Sequence, residues 1–162
     1  MPARVTIVPD KMTSHWRVAM FGMLNLFVTQ HRSLMMAGIN TNPTELLIYL
    51  TVGVANVQKL MRERMIPESM ASTEILPREW VVPISRNAIA SATGLPRETV
   101  RRHVAKMIER GLLIEDSRGG VTPPPGVIQK LGIAQLLDPL VTAFARTVET
   151  MLRTGIIAIE ED

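Results

Sequence analysis

The sequence predicts a mainly α chain with a small β wing, and three observations carry that expectation. Residues 84–123 read as a short helix, a turn at Gly94, a second helix and a hairpin tipped by Gly119-Gly120. That is the order of a helix-turn-helix followed by a wing. The second helix is apolar on one side and rich in arginine on the other. Apolar residues recur at helical spacing near both ends of the chain, over 13–36 and 127–153. The expected division is an N-terminal helical dimerisation segment at 1–41, a winged helix-turn-helix at 42–126 and a C-terminal helical dimerisation segment at 127–162.

In the first segment Trp16, Met20, Met23, Leu24, Phe27 and Leu34 share helical spacing, and Val18, Phe21 and Leu26 add apolar surface on other sides. A helix apolar nearly all round has to be covered on more than one side. Asn42-Pro43-Thr44-Glu45 then reads as a helix start, with Asn42 as N-cap, Pro43 at the first helical position and Glu45 reaching back. This helix is expected to run to about Arg64. Its β-branched residues favour a strand less strongly than its length and cap favour a helix. Residues 65–79 form a polar connection longer than usual and are expected to be an exposed loop. Residues 80–84 (WVVPI) are expected to form a short edge strand beside the wing.

Ser85 is the expected N-cap of a helix from Arg86 to Ala92, with Ile89 as its main core contact. Gly94 stands where the chain must turn, and glycine tolerates positive φ. Pro96 suits the first position of a helix running to Arg110, and Gly111 is the expected residue beyond its end. On that helix Val100, Val104 and Met107 share one face; Glu98, Arg102 and Ala105 lie opposite, with Arg97 and Arg101 at the edge. Over 84–112, six basic residues (Arg86, Arg97, Arg101, Arg102, Lys106, Arg110) stand against two acidic ones (Glu98, Glu109), a balance of +4 where the whole chain carries +3. Positive charge concentrated on one helix is the footprint expected for phosphate. Arg118, at the hairpin tip, is a candidate for a minor groove or phosphate, or is simply solvated beside Glu115 and Asp116.

At these residues the chain resembles a known family. The run from Arg86 to Leu113 is similar to the DNA-binding domain of the cyclic-AMP receptor (catabolite activator) regulators, whose second helix opens Arg-Glu-Thr-Val-x-Arg, here Arg97 to Arg102. The resemblance implies base reading by Arg97, Glu98 and Arg102 and a phosphate contact by Thr99. The chemistry agrees, since arginine offers a fork to guanine and glutamate accepts from cytosine. Arg86, Arg101, Lys106 and Arg118 surround that face and are the expected phosphate or groove contacts. The cyclic-nucleotide barrel of those regulators has no counterpart before Ile84, so nucleotide binding is not carried over.

Two apolar terminal helices around a winged helix suggest a homodimer, a layout similar to the multiple-antibiotic-resistance repressor (MarR) family in architecture alone. The C-terminal region contributes Leu131, Ala134, Leu137, Val141, Phe144, Val148, Met151 and Leu152, with Pro139 bending or breaking it. The Met-rich N-terminal face is read as dimer core or as the lining of a small-molecule effector pocket, since methionine adapts to varied shapes.

Cysteine is absent, which excludes disulfides and Cys-based zinc sites. His15, His31 and His103 do not form a metal-ligand pattern, and His103 is expected to pack rather than ligate. Paired carboxylates, a Ser-His-Asp set and a phosphate loop are not visible, so neither an enzyme nor a bound cofactor is expected. The chain does not open on a basic region followed by an apolar run, and a cytoplasmic, nucleoid-associated bacterial protein without membrane attachment is expected. The expected function is a sequence-specific transcriptional regulator that binds double-stranded DNA as a homodimer. The alternatives are a DNA architectural or replication/partition protein and a winged-helix protein-interaction module.

Overall fold

A computed structural model describes residues 4–36, 42–63, 65–71, 75–130 and 132–160. Helices dominate, with short antiparallel strands. In chain order they are β1 (Arg4–Ile7), α1 (Pro9–Ser14), α2 (Trp16–Met36), α3 (Pro43–Asn56), α4 (Gln58–Met61), α5 (Glu68–Ala71), a 3₁₀ turn (Arg78–Trp80), β2 (Ile84–Ser85), α6 (Arg86–Thr93), α7 (Arg97–Glu109), β3 (Ile114–Glu115), β4 (Gly120–Thr122), α8 (Val127–Lys130), α9 (Ile133–Arg153) and β5 (Ile157–Glu160). The chain divides into two compact units, one formed by Met1–Gly38 with Gly132–Asp162 and the other by Ile39–Leu131. The two terminal segments therefore belong to one unit. Among the described residues no helix is long and apolar enough to cross a membrane.

In the terminal unit α2 packs along α9. Gly22 is buried at their contact, where an added Cβ would lie 2.5 Å from Thr147 Cγ2. β1 and β5 pair antiparallel, with Arg4 opposite Glu160 and Ile7 opposite Ile157. The sequence reading did not anticipate this ribbon. Helix α2 begins at Trp16 rather than Thr13, because the preceding residues form α1, which ends at Ser14 with His15 as its C-cap. Pro139 sits inside α9 without ending it; the C-terminal helical region is instead divided between α8, which ends at Lys130, and α9, whose N-cap is Gly132. Leu131 and the side chain of Ala134 lie outside the described residues. At the far end of α9 the Gly155 N–H donates to Leu152 O and the Ile156 N–H to Met151 O, closing the last turn with Gly155 at φ 72°.

In the central unit α3, α6 and α7 enclose a core of Ile48, Val52, Ile89, Val100, Val104, Met107, Leu113 and Val121. Strand β4 lies between β2 and β3, with Ile84 opposite Val121 and Ile114 opposite Thr122. The hairpin β3–β4 is thus tied to the residues just before α6. The edge strand expected over 80–84 shrinks to Ile84–Ser85, with Trp80 in the 3₁₀ turn. The helix expected to reach Arg64 breaks at Val57 and ends at Met61, and Arg64 lies outside the described residues. The connection over 65–79 is not wholly loop, since α5 and the 3₁₀ turn fall within it; residues 72–74 lie outside the described residues.

Asn42 caps α3 as expected, its Oδ1 accepting from the Glu45 N–H at 2.9 Å. The Glu45 carboxylate does not reach back. It is buried against α7, where Oε2 accepts from Arg110 Nη1 at 2.8 Å and Oε1 lies 3.3 Å from His103 Nδ1. The bond to Arg110 joins two ionised groups, whereas a second capping bond would join the carboxylate to a neutral backbone N–H.

Candidate nucleic-acid interface

The helix pair α6–α7 is set by local chemistry. Ser85 Oγ accepts from the Ala88 N–H at 3.2 Å, which caps α6. Gly94 takes φ 71° and donates its N–H to Ala90 O at 2.9 Å. Thr93 Oγ1 donates to Ile89 O at 2.7 Å and accepts from the Leu95 N–H at 3.3 Å, so one hydroxyl fastens both sides of the turn. Pro96 precedes α7 rather than opening it, and its carbonyl accepts from the Val100 N–H. At the other end the Leu112 N–H donates to Met107 O and the Gly111 N–H to Ile108 O, with Gly111 at φ 70°. This pair of bonds satisfies the last carbonyls of α7 and turns the chain into β3.

The two faces of α7 are sharply unlike. Val100, Val104 and Met107 are fully buried. Arg97, Glu98, Arg101, Arg102 and Lys106 are exposed, and Thr99 and Ala105 are half-buried. Arg101 makes a fork to Glu98, with Nε 2.7 Å from Oε2 and Nη2 2.5 Å from Oε1. The hydrogen bond from Arg101 and its charge hold the Glu98 carboxyl below the usual carboxylate range. Glu98 therefore pairs with Arg101 at i,i+3 and not with Arg102 at i,i+4. Among the described residues Arg97, Arg102, Lys106 and Arg118 make no salt bridge.

The hairpin is held by two carboxylates. Asp116 Oδ1 accepts from the Arg118 and Gly120 N–H groups, each at 2.8 Å, and these bonds keep its carboxyl below the usual range. Glu115 receives the Arg86 guanidinium as a fork, Nη1 to Oε1 at 2.7 Å and Nη2 to Oε2 at 2.9 Å. Arg86 Nη1 also donates to Gly119 O at 3.3 Å. Arg86 thus links the start of α6 to the tip of the hairpin. The hydrogen bond from Arg86 to Glu115, with the charge of that carboxylate, holds the guanidinium more firmly protonated than usual, outweighing burial and the opposing charge of Arg101. Arg118 is exposed at the tip.

No family model, curated protein or solved structure matches this chain.

Among the described residues, Arg97, Arg102 and Lys106 on α7 and Arg118 on the turn fixed by Asp116 offer cations that make no salt bridge, although the charges of Arg102 and Arg118 act on Glu98 and Asp116. Arg86 and Arg101 are engaged by Glu115 and Glu98, so a phosphate would have to share or replace those carboxylates. Two contributions escaped the sequence reading. Asp116 is the acceptor that shapes the hairpin turn, for which the spacing Asp-x-x-Gly-Gly was a visible signal. Glu45 braces α7 through His103 and Arg110 from 58 and 65 residues away, and periodicity carries no signal of that.

Proposed function

We propose that the chain is a sequence-specific DNA-binding regulator, built as a winged helix-turn-helix and acting as a homodimer. The observation that carries this reading is α7 itself. Val100, Val104 and Met107 on its inner face are fully buried, and its outer face presents Arg97 and Arg102, which among the described residues make no salt bridge. In this reading α7 enters the major groove, where Arg97, Arg102 and Glu98 meet base edges. Thr99, Arg101, Lys106 and Arg86 lie toward the phosphates, and the β3–β4 wing brings Arg118 to the flank. The likeness of residues 97–102 to the cyclic-AMP receptor regulators supports the same assignment.

The homodimer part rests on the terminal unit. Trp16, Met20, Met23, Leu24 and Phe27 of α2 and Leu137, Val141 and Phe144 of α9 are all exposed. An apolar surface of that extent marks an association site, and a second copy would cover it with the same residues.

Selection of bound sequences from a random duplex library is the deciding experiment. The expected result is an enriched pseudo-palindrome with half-site centres about 34–36 Å apart, one turn of B-DNA. Salt-sensitive binding without enrichment would point to an architectural or partition protein. Absence of salt-sensitive DNA binding would overturn the reading in favour of a protein-interaction module.

A further inference from the structure

The α2–α9 pair has two unlike sides. At helical spacing Trp16, Met20, Met23 and Phe27 form one stripe of α2, and Leu137, Val141, Phe144 and Val148 form one stripe of α9. Leu26 and Gln30 of α2 and Leu140, Val141 and Phe144 of α9 line a cleft on the side of the α9 stripe, which is the apolar one. On the other side a groove of about 660 Å³ runs between the helices, with Gly22 and Thr147 in its wall. That volume lies in the range of small-molecule sites. Among the described residues the lining contains no methionine, so the adaptable Met-rich stripe and the groove are separate features.

The chemistry of the groove is specific. Phe21, Val18 and Pro139 supply apolar wall, Asn25 and Thr142 supply neutral polar groups, and the charged residues are Arg17 and Arg146. Among the described residues no carboxylate lines it and neither arginine makes a salt bridge. The Arg17 guanidinium lies 5.7 Å from the centre of the Trp16 ring, a contact that leaves its N–H groups able to donate. Two cations beside an apolar wall complement an anion that carries an apolar body. Guanidinium geometry matches a carboxylate in particular, because two parallel N–H groups meet two oxygens.

We propose that the groove binds a small organic carboxylate, with Arg17 and Arg146 holding the charge and Phe21, Val18 and Pro139 holding the apolar body. This site is in a different unit from the α7 surface and does not depend on DNA binding. Titration calorimetry of the full chain with 2-naphthoate, without DNA, tests it. Saturable binding is expected, and 2-naphthamide and inorganic phosphate should each bind at least tenfold more weakly. Arg17→Ala and Arg146→Ala should each weaken 2-naphthoate at least tenfold; both side chains are exposed, and unchanged circular dichroism would show that the fold is kept. Thr142→Trp should block the groove and abolish binding. Absence of 2-naphthoate binding at millimolar concentration overturns the proposal. So does an amide that binds as tightly as the acid, or an affinity unchanged in both arginine variants.

Discussion

Arg86 and Glu115 are joined by two parallel hydrogen bonds of 2.7 and 2.9 Å, which fasten the first turn of α6 to the β3–β4 hairpin. The same guanidinium is proposed to face a DNA phosphate. Both roles fit only if phosphate competes with the carboxylate for the N–H groups. Glu115→Gln removes the negative charge and frees Arg86. Binding to every duplex should then strengthen, and the slope of log affinity against log salt should steepen by about 0.9 for one added phosphate contact. An unchanged slope, read by fluorescence anisotropy across a salt series, would leave Arg86 as a brace of the hairpin alone.

Arg97 and Arg102 are exposed and without salt-bridge partners among the described residues, so truncating them should not disturb the fold. Arg97→Ala or Arg102→Ala should each cost about 1–3 kcal/mol in specific binding and relax preference at one base pair per half-site. Lys106→Ala should weaken binding to all sequences alike and reduce the salt slope by about 0.9. Variants of Arg97 and Arg102 that bind a selected site like the parent would remove α7 from the reading role.

Glu45 carries a pH dependence of known sign. Burial opposes its ionisation, but hydrogen bonds from His103 and Arg110, with the charge of both, outweigh that and hold its carboxyl below its ordinary value of 4.5. A carboxyl depressed in the folded state contributes its full stabilisation above about pH 4.5 and loses it as pH falls through the folded value. Glu45→Gln should therefore cost about 2–3 kcal/mol at pH 7, in the range for hydrogen bonds to charged groups. The gap to the parent should close as denaturant curves are repeated toward pH 3. Glu98, Glu115 and Asp116 are depressed too, which is why the difference between parent and variant, rather than the parent's own acid limb, is the informative quantity.

What could be read from the chain was what local chemistry decides. Ser85, Gly94, Gly111 and Asn42 announce helix ends through bonds made within a few residues, and Val100, Val104 and Met107 announce a buried face through spacing alone. The β1–β5 ribbon could not be found that way. Arg4–Ile7 and Ile157–Glu160 are four-residue runs whose pairing joins the two ends of the chain, and neither run has a turn signal pointing to the other. The polar contacts of the candidate site divide similarly. Exposure of Arg97 and Arg102 followed from periodicity. The engagement of Arg86 by Glu115 and of Glu45 by Arg110 depends on which side chains the fold brings within reach. The groove beside Arg17 and Arg146 belongs to the same class, since it exists only where α2 and α9 pack.

Gly22 tests that packing directly. An added Cβ would sit 2.5 Å from Thr147 Cγ2, well inside contact distance. Gly22→Ala should destabilise the terminal unit by about 1–3 kcal/mol through overpacking, although alanine is the better helix former. Thr147→Ser deletes the offending methyl and keeps the hydroxyl that donates to Ala143 O. The double variant should recover most of the loss in thermal unfolding. Recovery is the discriminating result, because a general intolerance of change at Gly22 would not respond to Thr147.

The proposed dimer puts Phe27 and Val141 in its seam. Phe27 is 64% exposed and Val141 58% exposed in the single chain. Burying side chains of this kind contributes about 1.5–3 kcal/mol each, and placing a carboxylate among them without a partner reverses the sign. Phe27→Asp and Val141→Asp should therefore convert a dimer at micromolar concentration into a monomer, measured by sedimentation. Both substitutions replace exposed residues, so the monomer should keep its helical content. Specific DNA affinity should fall with dissociation, because one α7 bound alone loses the contacts of the other, whereas binding to random duplex should change less. A parent chain that sediments as a monomer would end the dimer part of the proposal and leave the α7 surface to be tested alone.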